Sequence, residues 1–159
     1  MLIDHYTLDV FTPPCSPESE RFNGIIRFDT DISPTLPYLN ATLDDARYNP
    51  AAQALTWQSG PVYITFWPHE IATGNLTDRA EAAHVADQLV ATVNDAWDRR
   101  AQITPDHTVY RRATPLDMYR LLPQNNCRRC GEETCFNFAL KLVAGQVGLN
   151  QCLPLAEIP

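Results

Sequence analysis

Long apolar runs are absent from this chain of 159 residues. No stretch approaches the roughly 20 consecutive apolar residues that a membrane-spanning helix needs. The N-terminal run Met1-Leu2-Ile3-Asp4-His5-Tyr6-Thr7-Leu8-Asp9-Val10 carries acids and has no basic n-region, so it does not read as a secretory signal. Glycine-rich phosphate loops and dinucleotide fingerprints are also missing. There is no nucleophile–base arrangement. The four histidines, His5, His69, His84 and His107, are scattered without a partner at ligand spacing. Internal repeats and low-complexity tracts are absent. Basic residues are scarce in the first part: residues 1–98 hold four Arg or Lys against fourteen Asp or Glu, a balance of −10. Such a segment repels a phosphate backbone, and nucleic acid is not an expected partner. What remains, at 45% hydrophobic and 19% charged, is an ordinary globular composition.

Cysteine is what the chain does have, and it is unevenly placed. Four of its five cysteines form one run, Cys127-x2-Cys130-x4-Cys135-x16-Cys152. The absence of a signal and the grouping of the thiols both point to the cytoplasm, where such a cluster reads as a metal or redox site before it reads as disulfides. Thiolate selects zinc, cuprous copper or iron–sulfur clusters. Structural zinc commonly uses two CxxC knuckles, and only Cys127 and Cys130 form one here. A compact group of three cysteines with a distant fourth suits an iron–sulfur core, with zinc as the alternative. Cys15 lies far upstream in Thr12-Pro13-Pro14-Cys15-Ser16-Pro17 and is left out of the site. Residues 99–159 hold eight Arg or Lys against five Asp or Glu, a balance of +3 around the cysteines. Arg99, Arg100, Arg111, Arg112, Arg120, Arg128, Arg129 and Lys141 would offset an anionic centre and steer an acidic partner. Solvated faces and local ion pairs are the alternative use of these cations.

Hydrophobic periodicity and turn residues predict the elements. Residues 21–31 read as a strand. Residues 34–43 read as a short helix with Ser33 as N-cap and Pro34 at its first position. Short strands follow at 46–48, 54–57 and 62–67, with Ser59-Gly60-Pro61 as a turn. Residues 70–73 are a further strand, stopped by Gly74-Asn75. Residues 78–100 form the clearest helix, with Asp78 and Glu81 at capping-box spacing. Ala82, Ala86, Leu89, Val93 and Ala96/Trp97 make its apolar stripe. At 1.5 Å per residue it is roughly 34 Å long, enough to cross a small sheet. A helix from Thr114 to Pro123 and another from Phe136 to Val143 flank the first three cysteines. Thr134 is placed to cap the second, whose N-terminal amides would face an anionic cluster. Phe136, Phe138, Ala139, Leu142 and Val143 are its expected dry side. The fold class is α+β: a curved antiparallel sheet with two helices on one face, plus a small helical C-terminal cluster-binding module. The expected division is a platform at 1–100, a linker at 101–114 and the module at 115–159.

The segment Leu121-Leu122-Pro123-Gln124-Asn125-Asn126-Cys127-Arg128-Arg129-Cys130-Gly131-Glu132-Glu133-Thr134-Cys135-Phe136-Asn137-Phe138-Ala139-Leu140-Lys141-Leu142 resembles a known module. It is similar to the 4Fe-4S domain of the corrinoid iron–sulfur protein large subunit, also found in the B subunit of the Rnf electron-transport complex. The module ends on a fourth cysteine followed by Pro-Leu, and Cys152-Leu153-Pro154-Leu155 keeps that ending with one residue inserted. The resemblance covers residues 116–155. It implies one 4Fe-4S cluster on Cys127, Cys130, Cys135 and Cys152. The corrinoid-binding barrel, the membrane segment and the ferredoxin-type motifs of those proteins have no counterpart here, so the cluster chemistry carries over and the pathway does not. Residues 24–100 resemble one repeat of the TATA-binding protein, through Ala46-Arg47-Tyr48-Asn49-Pro50, the strand 62–67, Ala72-Thr73-Gly74 and the long helix. That likeness implies a curved sheet backed by two helices, with Phe66 near one position of a DNA-inserting wedge.

Together these readings describe an electron carrier or redox accessory to a larger anaerobic-type enzyme system, rather than an enzyme in its own right. The expected partner is a redox protein, acidic at its docking surface, and the open sheet is a candidate homodimer surface. The alternative is a binding or regulatory module in which iron–sulfur or zinc only staples the C-terminal tail.

Overall fold

The computed structural model describes residues 1–156, which form two compact units, one over residues 1–110 and the other from residue 111 onward. The N-terminal unit holds strands β1 (Thr7–Phe11), β2 (Phe22–Arg27), β3 (Arg47–Asn49), β4 (Ala54–Ser59), β5 (Val62–Phe66) and β6 (Glu70–Leu76). Its helices are α1 (Leu36–Thr42) and α2 (Arg79–Asp98). The strands make one antiparallel sheet in the order β1-β2-β6-β5-β4-β3. Alternation along the strands decides its two faces. Leu55, Val62, Ile64, Phe66, Ile71 and Leu76 are buried together with Ala82, Ala86, Leu89 and Val93 of α2 and Leu36 and Leu39 of α1. Tyr63, Thr65, Ala72 and Gly74 fall on the opposite face. The class is α+β with the helices on one side, as the element string implies. No helix among the described residues is long and apolar enough to cross a membrane.

The helix starts show local chemistry at work. Asp78 caps α2 by accepting the Glu81 N–H at 2.8 Å, and the Glu81 carboxylate reaches back to Thr77 rather than to Asp78. Ser33 does not cap α1. Residues Ser33–Thr35 form a 3₁₀ turn, and the Asp31 carboxylate accepts the Ser33 N–H at 2.8 Å. Pro34 and Pro37 cannot donate, so the first turn tightens instead of opening as α-helix.

Two strands depart from expectation. β6 runs through Gly74-Asn75 to Leu76, because a bulge opposite β2 absorbs the interruption. Asn75 takes a left-handed φ of 68° there, and its side-chain amide donates to the Pro61 carbonyl at 2.8 Å. β1 was not expected at all. Its run-in is tied to α2: the Asn94 side-chain oxygen accepts the Leu2 and Ile3 N–H groups, each at 2.7 Å, and Ile3 is buried in the core. Residues 101–110 form no helix or strand but are held to the same unit. Asp106 N–H donates to the Pro37 carbonyl at 2.9 Å and Tyr110 N–H to the Tyr48 carbonyl at 3.1 Å.

Phe66, expected near a wedge position, is fully buried beneath the helices at 0% exposure. It cannot insert into anything without unfolding β5. The exposed aromatic of that strand is Tyr63, at 60%.

Candidate metal centre

The C-terminal unit contains α3 (Pro115–Leu121), α4 (Cys135–Val143), a 3₁₀ turn at Leu149–Gln151 and the short α5 (Leu153–Ala156). Its elements start where the sequence supplies caps. Thr114 and Asp117 exchange side chain-to-backbone hydrogen bonds in a full capping box on α3. The Thr134 hydroxyl accepts the Asn137 N–H at 3.1 Å to open α4. Helix α4 ends as Gly145 adopts φ 71°, with Gln146 N–H on the Lys141 carbonyl and Gly145 N–H on that of Leu142.

The core of this unit is built partly of thiols. Cys135 and Cys152 are buried with Leu122, Phe138 and Ala139, and half-buried Cys130 packs against them. Residues 135, 138, 139 and 142 lie on one stripe of α4, which puts Cys135 in line with the apolar side chains. Phe136 falls off that stripe. It is 42% exposed and meets Tyr119 edge-to-face, with ring centroids 5.7 Å apart. Of the expected dry side, Phe138, Ala139 and Leu142 belong to this core, while Phe136 and Val143 lie outside it.

All four candidate cysteines, Cys127, Cys130, Cys135 and Cys152, line one cavity with Leu122, Phe138 and Pro154. All four are free thiols, and Cys127 is exposed. Among the described residues no group of three His, Cys, Asp or Glu side chains is close enough to hold a single metal ion. Cys15 is free and exposed in the other unit. The four histidines are exposed.

The loop carrying the first cysteines is unusual in its backbone. Gln124, Asn126, Arg128 and Gly131 all have positive φ, at 58°, 47°, 59° and 88°. Left-handed residues other than glycine are uncommon and cluster at ligand-holding loops. A Cβ at position 131 would meet nothing within 4 Å, so glycine serves the φ rather than the space. Two cross-links that spacing alone did not indicate brace the loop. The Asn126 side-chain oxygen accepts the Cys135 N–H at 2.8 Å. Lys141 pairs with Glu132 at 2.5 Å, Glu132 being only 18% exposed. The signal for the first was present as Asn126 just before Cys127, but an Asn pair before a cysteine also reads as an ordinary turn.

Residues 122–154 match the family model described as "Putative Fe-S cluster". The acetyl-CoA decarbonylase/synthase complex subunit gamma of Methanothermobacter thermautotrophicus is 46% identical over 43 residues, covering 27% of this chain and 9% of that protein. Subunit gamma 2 of the same complex from Methanosarcina thermophila is 48% identical over 44 residues, 28% of this chain and 9% of its own. The corrinoid/iron-sulfur protein large subunit of Moorella thermoacetica is 44% identical over 39 residues, 24% and 9% of the two chains. The chain thus spans about 9% of the length of these relatives. No solved structure matches it. The resemblance read from the cysteine module holds, and the donor set, four free thiols around one cavity, suits an iron–sulfur cofactor.

Electrostatics at the entrance to α3 give a pH-dependent prediction. The Thr114 N–H and then its hydroxyl hold the Asp117 carboxyl below the ordinary carboxylate range. A carboxyl with a lowered folded pKa stabilises above its unfolded value, near pH 4, and loses that contribution as pH falls through the folded value. Asp117→Asn should therefore lower the melting temperature of the C-terminal unit at neutral pH, and the gap from wild type should close below about pH 4. A gap that stays constant from pH 7 to pH 3 would show that the cap acts without its charge.

Proposed function

We propose that Cys127, Cys130, Cys135 and Cys152 hold one 4Fe-4S cluster and that the chain is a cytoplasmic one-electron carrier or redox accessory protein. The observation that carries this reading is the convergence of all four thiols on a single cavity inside the segment that matches the Fe-S family. The thiol spacing, with Cys127 and Cys130 as its one CxxC pair, favours a multi-iron core over zinc. When bound, the cluster supplies a site that gains and loses one electron. The chain's own residues do the rest. Phe138, Ala139 and Leu122 exclude water on the inner side, while exposed Cys127 and Arg128 mark the side from which a partner can approach. Arg111, Arg112, Arg120 and Arg128 give that unit a basic surface suited to an acidic protein. The relatives are named as subunits, of an acetyl-CoA decarbonylase/synthase complex and of a corrinoid/iron-sulfur protein, so the partner is expected to be another protein of an anaerobic-type system.

The second reading, a structural site, has its own support. Buried thiols form part of the core, so metal binding would contribute to folding. Anaerobic purification followed by iron, sulfide and zinc analysis separates the two. The proposal expects about four irons and four sulfides per chain, a brown chromophore and a reversible one-electron reduction. A colourless protein containing zinc alone, or a chromophore that cannot be reduced reversibly, would overturn the electron-transfer role.

A further inference from the structure

We infer that Asn126 is a positioning residue: its side-chain oxygen fastens the backbone N–H of Cys135 and so closes the loop that carries three of the four cysteines. This rests on the proposed metal role of those cysteines and adds a residue that holds them in place.

The contact joins residues nine positions apart, at 2.8 Å. Cys127 and Cys130 lie between its two ends, so this hydrogen bond ties the stretch that carries the first pair of thiols to the residue that carries the third. Asn126 is also in the left-handed region at φ 47°, a conformation that asparagine tolerates better than most residues. In that conformation its amide oxygen reaches the first residue of α4. The Thr134 hydroxyl accepts a different amide of the same turn, that of Asn137, so the two side chains divide the first turn between them. The bond also changes what α4 offers a bound anion. The amides of Cys135 and Asn137 are already accepted by side chains, so the first turn holds its ligand residue in place instead of presenting all its N–H groups to the cavity. The left-handed backbone at Gln124, Asn126 and Arg128 would relax if the loop opened, and a fastening at its ends resists this.

Partners that orient metal-binding residues typically change metal retention by about 10–100-fold when removed. The test is a pair of substitutions. Asn126→Gly keeps the left-handed backbone and deletes the acceptor. Asn126→Asp keeps an oxygen at the same place and tolerates the same φ. Each full-length protein is reconstituted with iron and sulfide, then challenged with an excess of an iron chelator, and cluster loss is followed by visible absorbance. Amide hydrogen exchange at Cys135 is read in parallel. Asn126→Gly is expected to lose its cluster about 10–100-fold faster than wild type and to lose protection at the Cys135 amide. Asn126→Asp is expected to keep both within about threefold of wild type, since a carboxylate oxygen accepts the same bond. Equal retention in all three proteins, or an aspartate variant as labile as the glycine one, overturns the fastening role. If Asn126→Gly takes up no cluster at all, assembly of the aspartate variant alone decides, because only an acceptor at this position distinguishes the two. If the wild-type chain takes up zinc and no iron or sulfide, the cluster reading fails while the same chelator challenge, followed by zinc release, still decides the role of Asn126.

Discussion

Cys135→Ser is expected to abolish most of the visible absorbance and to disorder residues 123–155, with the N-terminal unit still folded. Cys135 is 8% exposed and is the first residue of α4, so its sulfur belongs at once to the proposed metal site and to the apolar core. Serine removes the soft donor and leaves a hydroxyl in a dry place, where an unmatched polar group costs about 1–3 kcal/mol. The unit has little else to hold it. Among the described residues its buried side chains, apart from cysteine, are Leu122, Phe138 and Ala139. Segments of fewer than about 50 residues seldom sustain a fold without a metal, disulfide or other staple. Losing one ligand therefore removes folding free energy as well as iron. Cys15→Ser is the control, because Cys15 is exposed in the other unit. Iron content, the visible spectrum and limited proteolysis of both variants check this. Bleaching by Cys15→Ser with Cys135→Ser intact would sink the ligand assignment.

How much of this was legible in the sequence depends on the range of the forces involved. Helix α2 announced itself because Asp78 and the stripe Ala82, Ala86, Leu89, Val93 act within a few residues of one another and sit as the spacing implied, whereas the Glu81 carboxylate closes on Thr77 and not on Asp78. The four cysteines were legible for the same reason, since thiol spacing is local information. β1 was hidden because its position depends on Asn94, some 90 residues away, accepting Leu2 and Ile3. The continuation of β6 was hidden because a bulge pairs Gly74-Asn75 against β2, and a breaker read alone looks like an end. Within the site, spacing could name the thiols but not Asn126, whose role is visible only once the loop folds back onto α4. Phe136 was misjudged because aromatic content suggested burial, whereas the helical phase set by Cys135, Phe138 and Leu142 turns it outward.

Phe66→Ala should have the opposite distribution of effects from Cys135→Ser. Phe66 is 0% exposed and sits between Leu55 and Ile71 in register, under the two helices. Truncating a buried Phe typically costs about 3–5 kcal/mol, through lost transfer free energy and the cavity left behind. Against a usual domain stability of about 5–15 kcal/mol, that is a large share. The N-terminal unit is expected to melt much earlier, while iron content and the cluster chromophore of a protein purified cold stay near wild type. Tyr63→Ala is the matched comparison, three positions away on the same strand but 60% exposed on the other face, and it should cost no more than about 0.5 kcal/mol. The contrast tests the register of β5 directly, because a slip of one residue would exchange the two faces and with them the two phenotypes. Urea denaturation followed by far-UV circular dichroism, with iron analysis on the same samples, reads both quantities. A Tyr63→Ala variant less stable than Phe66→Ala would mean that β5 presents Phe66 to solvent, and the wedge position that the sequence suggested for it would reopen.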